Sequence, residues 1–466
     1  MKYALINLPF KTNVIRRWRC SITNIQYLFP PLEICYLSSI LQKQGEETLV
    51  IDAIAEKLNF EQTCSKLKCF FPDYIIFMSG LETIAEDIEV AKHLKIELKC
   101  KLICFGYLPS YFPEQIISKG DIDIVIIGEP EEAIIDLNNI FKTNNDLSNI
   151  QGIAFKKATE IIITKKRNAV SNLDDIPFPD RTQLKQDQYY LPFCYKKPFT
   201  TLYTSRSCPF KCSYCVRSWG DEFRQRSVEN VLCEIDECVH LYKIKTFWFN
   251  DDTFTVNKKW VLDFCEKLKN KQYKIEWTCL SCIDILDEEK IIAMKNAGCN
   301  RIMFGVETAS ERLLKKYNRN QNLKNIVSLT KFIKSKKIEV LGFFLIGGPY
   351  EEISDVNESI ALAKQLNLDY ITINQMRAYY GTDFYNELAA NNKVKFNLFP
   401  YKVEIENKIS QKELSRLIFK FYRSFYLRPS YLLKNFIKIL INLPSFVFMA
   451  KKYLCWELDK KNIYFD

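Results

Sequence analysis

The sequence predicts an α/β protein of two units in series: an N-terminal doubly wound, Rossmann-like parallel sheet, then a partial (β/α)6 barrel, followed by a helical C-terminal tail. Three observations predict it. Residues 2–142 alternate short apolar runs with amphipathic stretches. After a proline-bearing linker the alternation restarts near 198, and beyond about 395 it gives way to helical, aromatic-rich sequence. At 466 residues and 47% hydrophobic content the chain is long enough for several cores and too apolar for disorder.

In the first unit, YALINL, TLVID, DYIIFMS, KLICFG and DIVIIG read as strands, with helical patterns at 32–44, 82–98 and 130–141. Strict alternation implies parallel strands, and in such sheets ligands bind beyond the carboxyl ends of the strands. Those ends read SGLE (79–82), FGYLPS (105–110) and GEPEE (128–132), each with a glycine where the backbone turns or lets a ligand approach. The segment 151–166 holds two β-like runs around a polar turn and reads as a hairpin. NLDDIPFPDR (172–181) follows, and its prolines cannot continue a helix and push their neighbours to extended geometry. The expected division is a Rossmann-like domain at 1–142, hairpin and linker at 143–197, barrel at 198–395 and helical region at 396–466.

Barrel strands are expected at 200–205, 245–250, 274–281, 300–306, 338–346 and 369–374. The helix between the third and fourth illustrates the reading: Asp287 can cap its start, Ile291, Ile292 and Met294 supply apolar positions, and Gly298 can take the left-handed turn that ends it. Barrel chemistry sits at the carboxyl ends of strands, so the residues just after each strand are the place to look.

A formal charge of +10, from 66 basic and 56 acidic residues, is modest and diffuse apart from a basic C-terminal part, and no nucleic-acid partner is expected. The 17 cysteines are not accompanied by a charged, apolar and small-residue leader pattern after Met1, so a reducing cytoplasm is the expected compartment. Cys64, Cys238 and Cys265, inside helical patterns, read as small buried hydrophobes. No apolar run reaches the length of a transmembrane helix. ILINLPSFVFMA (439–450), with Lys434, Lys438, Lys451 and Lys452 around it and Trp456 beyond, suits either an interfacial membrane helix or a helix packed on the main domain.

The sharpest motif is TSRSCPFKCSYC (204–215), which places Cys208, Cys212 and Cys215 on a loop after the first barrel strand. Structural zinc takes four protein ligands. The only histidines, His93 and His240, lie in remote helical patterns, and Cys279 and Cys282 on a predicted strand point to opposite faces. Three thiolates on a four-iron cluster leave one iron open to another ligand.

With its CxxxCxxC spacing and Tyr214 before the last cysteine, the chain resembles the radical S-adenosylmethionine (SAM) superfamily over about 198–392. The resemblance implies a [4Fe-4S] cluster on Cys208, Cys212 and Cys215. Such a cluster reduces SAM bound at the open iron and releases a 5′-deoxyadenosyl radical. It further implies cofactor contacts at Tyr214, at Asp251 or Asp252 in FWFNDDTF, at Glu307 in FGVETAS, and at Gly347 and Gly348 in GFFLIGGPYEE. The residue-level alternatives are a helix cap for the aspartates and a structural partner of Arg301 for Glu307. YYGTDFYNEL is similar to the segment after the sixth strand, with Tyr380 in place of proline, and Ser207 stands where many relatives have glycine.

The order of domains resembles the cobalamin-binding subclass, which includes methyltransferases acting on unactivated carbon and anaerobic porphyrin-ring cyclases. That resemblance implies a corrin on the carboxyl edge of the first sheet, with Ser79, Gly106, Gly128 and Glu129 as matching contacts. It departs in lacking Asp-x-His-x-x-Gly after the first strand, so no histidine can serve as lower axial ligand, and in lacking the Gly-Gly common at GYLPS. The expected function is a cobalamin-dependent C-methyltransferase. The alternatives are a rearrangement, cyclisation or oxidation without methyl transfer, and a non-catalytic cobalamin or iron–sulfur sensor. A small-molecule or lipid-like substrate and a low-potential donor such as a flavodoxin or ferredoxin are the implied partners, with peripheral membrane contact through the tail.

Overall fold

A computed structural model describes the chain except residues 18–20, 24–26, 144, 192–195, 218 and 442–466. The first sheet contains β1 (Lys2–Asn7), β2 (Glu47–Asp52), β3 (Tyr74–Met78), β4 (Lys101–Phe105), β5 (Ile124–Ile126), β6 (Ile153–Lys157) and β7 (Glu160–Ile163), in the spatial order 2-1-3-4-5-6-7. From β2 to β5 every neighbour is parallel, and β1 and β3 flank the point where the winding direction reverses. β6 and β7 then add antiparallel to β5. The sheet is therefore mixed, and the hairpin expected in the connecting segment extends its edge.

The helix Leu32–Lys43 packs on one face and the helices Phe60–Phe70 and Ile84–Leu98 on the other, so β1 and β3 through β5 are almost wholly buried and read as continuous apolar runs. Phe60–Phe70 starts on a capping box between Asn59 and Gln62. GYLPS, at the end of β4, opens the short helix Tyr107–Tyr111.

The second sheet has six parallel strands in sequence order: β8 (Phe199–Leu202), β9 (Thr246–Phe249), β10 (Glu276–Ser281), β11 (Cys299–Glu307), β12 (Glu339–Ile346) and β13 (Tyr370–Gln375). Each expected barrel strand is present, with ends shifted by no more than three residues. Asp287 caps Glu288–Asn296 through Lys290 N, and Gly298 follows with φ +95°. Cys64, Cys238 and Cys265 are buried as expected.

The barrel does not close, and β13 is an edge. The helix Gln411–Tyr426 covers it: the Tyr426 and Tyr422 hydroxyls each accept a 3.0 Å hydrogen bond, from Ile371 N and Ile373 N. Backbone donors that an open edge would expose are thereby paired. Leu414, Leu417, Phe421 and Phe425 of this helix join the barrel core. The tail continues as Pro429–Ile441, while most of the apolar segment 439–450, with Lys451, Lys452 and Trp456, lies outside the described residues.

Candidate active site

The carboxyl ends of the two sheets face each other. Tyr203, just past β8, donates to Glu33 at the start of the first helix (2.9 Å), and Asn250, just past β9, donates to Tyr203 and accepts from Arg17. Tyr107, past β4, donates to Tyr380 O at 2.8 Å, and Arg377 pairs with Glu82 at 3.1 Å. The carboxyl edge of the first sheet is thus tied to the barrel mouth at several points.

The cysteine loop leaves β8 through Thr204 and Ser205. Asp251 fixes this exit: fully buried, its carboxylate accepts from Thr204 N (2.7 Å), Thr204 Oγ1 (2.6 Å) and Ser205 N (2.9 Å). Burial pushes its carboxyl up to about 6, against the pull of these donors. Asp251 therefore fastens the backbone and hydroxyl at the start of the cysteine loop. Neither aspartate caps the next helix, since Asn257 does.

Within the loop, Ser213 N donates to Tyr317 O (3.0 Å) and Ser213 O accepts from Phe384 N (2.9 Å), so the stretch between Cys212 and Cys215 is held at both sides. Cys212 is buried, Cys208 partly so and Cys215 exposed. Cys208 Sγ lies 3.3 Å from Thr253 Oγ1, and burial pushes its thiol up. Among the described residues no three Cys, His, Asp or Glu side chains are gathered as a single metal ion would need. Cys279 is buried in the barrel core, whereas Cys282 lies just past β10, near Asp284.

Arg319, which sequence reasoning missed, gathers the site. Its guanidinium donates to Cys212 Sγ (3.7 Å) and to Gly305 O (3.4 Å), where Gln321 also donates (2.8 Å). Burial raises the Glu307 carboxyl, opposed by Arg319 and by a hydrogen bond from Tyr214. Arg301 pairs with Glu339 instead, so Glu307 is not its structural partner. Glu307 has φ +62°, and the β11–β12 register shifts beside it. A side chain at Gly305 would overlap the Glu307 carboxylate. The only signal for Arg319 was a polar stretch, YNRNQN, with no periodicity.

Gly347 (φ +84°) and Gly348 end β12, but the space a Cβ would take is filled by Leu414 and by the Tyr317 hydroxyl. Their smallness serves packing within the chain, a different reason from the expected approach of a cofactor.

At the first sheet's edge, Ser79 Oγ donates to Asp87 (3.1 Å), which also pairs with buried Arg16. Glu129 is engaged by Arg206 and Arg224. Burial pushes its carboxyl up, and the two guanidinium groups outweigh that and hold it below the usual range. Both side chains are thus engaged by groups of the chain itself. Gly106 is required because a Cβ would overlap Ser79 O, and Gly128 (φ +84°) has nothing within 4 Å of its Cβ position. At both positions the edge presents backbone rather than a side chain. His93 and His240 sit on outer helices, against Phe60 and Tyr273, away from every strand end.

Residues 202–363 match the model of the radical SAM superfamily. The chain is similar to an uncharacterized methyltransferase, PH0819, of Pyrococcus horikoshii, at 31% identity over 416 residues, covering 87% of this chain and 90% of that one. It is also similar to the anaerobic magnesium-protoporphyrin IX monomethyl ester cyclase of Rubrivivax gelatinosus, at 23% identity, covering 88% and 76%. Among solved structures, the cobalamin-dependent SAM radical enzyme OxsB, with aqua-cobalamin and SAM bound, shares the fold with TM-score 0.76 at 17% identity, covering 98% of this chain and 72% of that one.

Proposed function

The chain belongs to the radical SAM superfamily, and from that premise we propose that it is a cobalamin-dependent methyltransferase acting on an unactivated carbon. Cys208, Cys212 and Cys215 would hold a [4Fe-4S] cluster. Tyr214, Asp252, Glu307 and the Gly347–Gly348 backbone would surround SAM, and the backbone at Gly106 and Gly128 would carry the corrin. When bound, the cluster supplies the electron that cleaves SAM and the corrin supplies a transferable methyl group.

One observation carries the reading: a three-thiol loop lies at a barrel mouth that faces the carboxyl edge of a doubly wound sheet. The protein's own groups fit the chemistry. Arg319 places its guanidinium 3.7 Å from Cys212 Sγ, so a cation stands beside the three-thiol loop. Tyr214 and Arg319 orient the Glu307 carboxylate, a group suited to accepting hydroxyl hydrogens from a ribose. The covering first sheet keeps water from a reactive intermediate.

The substrate is a small molecule, and the reaction needs a reductant; a low-potential flavodoxin or ferredoxin is the donor we propose. Among the described residues no helix is long and apolar enough to cross a membrane. Leu433 and Phe436 are 79% and 59% exposed on the last helix, beside Lys434, which supports peripheral membrane contact and a lipid-like substrate as a further part of the proposal.

The test is 5′-deoxyadenosine and product mass after anaerobic reconstitution. Wild type should release the nucleoside and add a methyl mass to its substrate, and Cys212→Ala should do neither. A reconstituted wild type that cleaves no SAM overturns the enzyme reading in favour of a sensor. Nucleoside without added mass favours ring formation, a reading supported by the similarity to the cyclase.

A further inference from the structure

The loop that carries the three cysteines leaves and returns through one point. Ser205–Arg206 pairs antiparallel with Arg224–Gln225, and Arg206 stands directly opposite Arg224. Like charges opposite each other repel unless something lies between them. Here a single carboxylate does: Glu129 accepts from Arg206 Nη1 at 2.8 Å and from both terminal nitrogens of Arg224, one at 3.0 Å. All three side chains are buried, at 8%, 5% and 7% exposure. Glu131 takes the other nitrogen of Arg206. Trp219, inside the loop, is held from both sides: the Arg206 guanidinium lies 4.3 Å over its ring, and Arg224 and Ser207 each donate to its carbonyl at 2.9 Å.

Glu129 does not belong to the barrel. It follows Gly128 beyond β5 of the first sheet and precedes the helix Pro130–Thr143. Both ends of the cysteine loop are therefore fastened to the neighbouring sheet's ligand edge, beside the glycine with open space in front of it.

We propose that Glu129 is a positioning residue for the cysteine loop: one carboxylate of the first sheet ties the loop's two ends and so sets the spacing of Cys208, Cys212 and Cys215. A buried, multiply paired charge suits this role because it tolerates only one arrangement of its partners, whereas an apolar contact tolerates many. The inference rests on the reading that these cysteines hold a cluster. It goes beyond that reading in assigning the loop's geometry to a residue more than 75 positions away that touches none of the thiols.

The test is the charge-balanced variant Glu129→Gln with Arg224→Gln, which removes one charge of each sign and leaves Arg206 paired with Glu131. Iron and sulfide per chain, resistance of the cluster to a chelator, the electron paramagnetic resonance spectrum of the reduced cluster with and without SAM, and the melting curve are measured beside wild type. The expected result is a chain that melts cooperatively but loses iron to chelator about tenfold faster, as outer-shell changes at metal sites do. Its reduced-cluster spectrum should be broadened and insensitive to SAM. Wild-type iron retention and a wild-type spectrum overturn the proposal.

If wild type itself takes up no iron, the cluster reading fails. In that case, or if the variant does not fold, hydrogen exchange of the metal-free wild type decides. Slow exchange at Arg206, Arg224 and Arg226 against fast exchange at the loop amides not held by Tyr317 supports a loop tied at its ends, and equally fast exchange throughout overturns it.

Discussion

Asp251 holds the start of the cysteine loop in place. Its carboxylate satisfies two buried backbone N–H groups and a hydroxyl where the cysteine loop begins. Asp251→Ala strands those donors and should cost about 3 kcal/mol, read by urea unfolding. Asp251→Asn keeps one oxygen for both amides and lets Thr204 turn its hydroxyl, so it should cost under about 1 kcal/mol. A stable Asp251→Ala that loses only SAM affinity would return the residue to the cofactor. Glu351 gives the clearest pH signature. Burial pushes its carboxyl from 4.5 up to about 7, partly offset by Gly347 N. The folded chain thus holds this proton more tightly than the unfolded one, so the associated stability is fully present below about 4.5 and lost as pH rises through about 7. Glu351→Gln keeps an acceptor and removes the ionisation. Its melting temperature should gain on wild type as pH rises across that window; parallel curves would contradict the assignment.

At the scale of elements, the alternation of strands and helices was legible because buried parallel strands are apolar throughout and their helices carry capping and periodic signals. Asp287 and Gly298 bracket their helix as the sequence reading expects. The reasons behind the glycines were not legible. Gly347 is small because Leu414, 67 positions on, occupies its Cβ space, and no local pattern records such a partner. Gly347→Ala combines left-handed backbone strain with that overlap and should cost about 2 kcal/mol. Adding Leu414→Ala removes the overlap, so the double variant should be about 1 kcal/mol more stable than the sum of the singles. Strict additivity in a double-mutant cycle would show that the two do not meet. The aromatic run after 411 was likewise readable as helix, but not as the cover of an open edge, because that role depends on where the Tyr422 and Tyr426 hydroxyls land.

At the scale of the molecule, the three-thiol loop was legible because its cysteines are written contiguously. The groups around it are not. Arg319 reaches the loop from a distant barrel segment, Arg224 closes the loop itself, and Glu129 meets it through the packing of two sheets edge to edge. The same packing underlies the central claim, that the first sheet holds a corrin over the barrel mouth on backbone at Gly106 and Gly128, with no histidine near. Cobalt per chain tests this most directly, measured after anaerobic cluster reconstitution, incubation with hydroxocobalamin and desalting. The account predicts close to one cobalt per chain, with a spectrum free of nitrogenous lower ligation. Cobalt near zero on a chain with its cluster intact would contradict it.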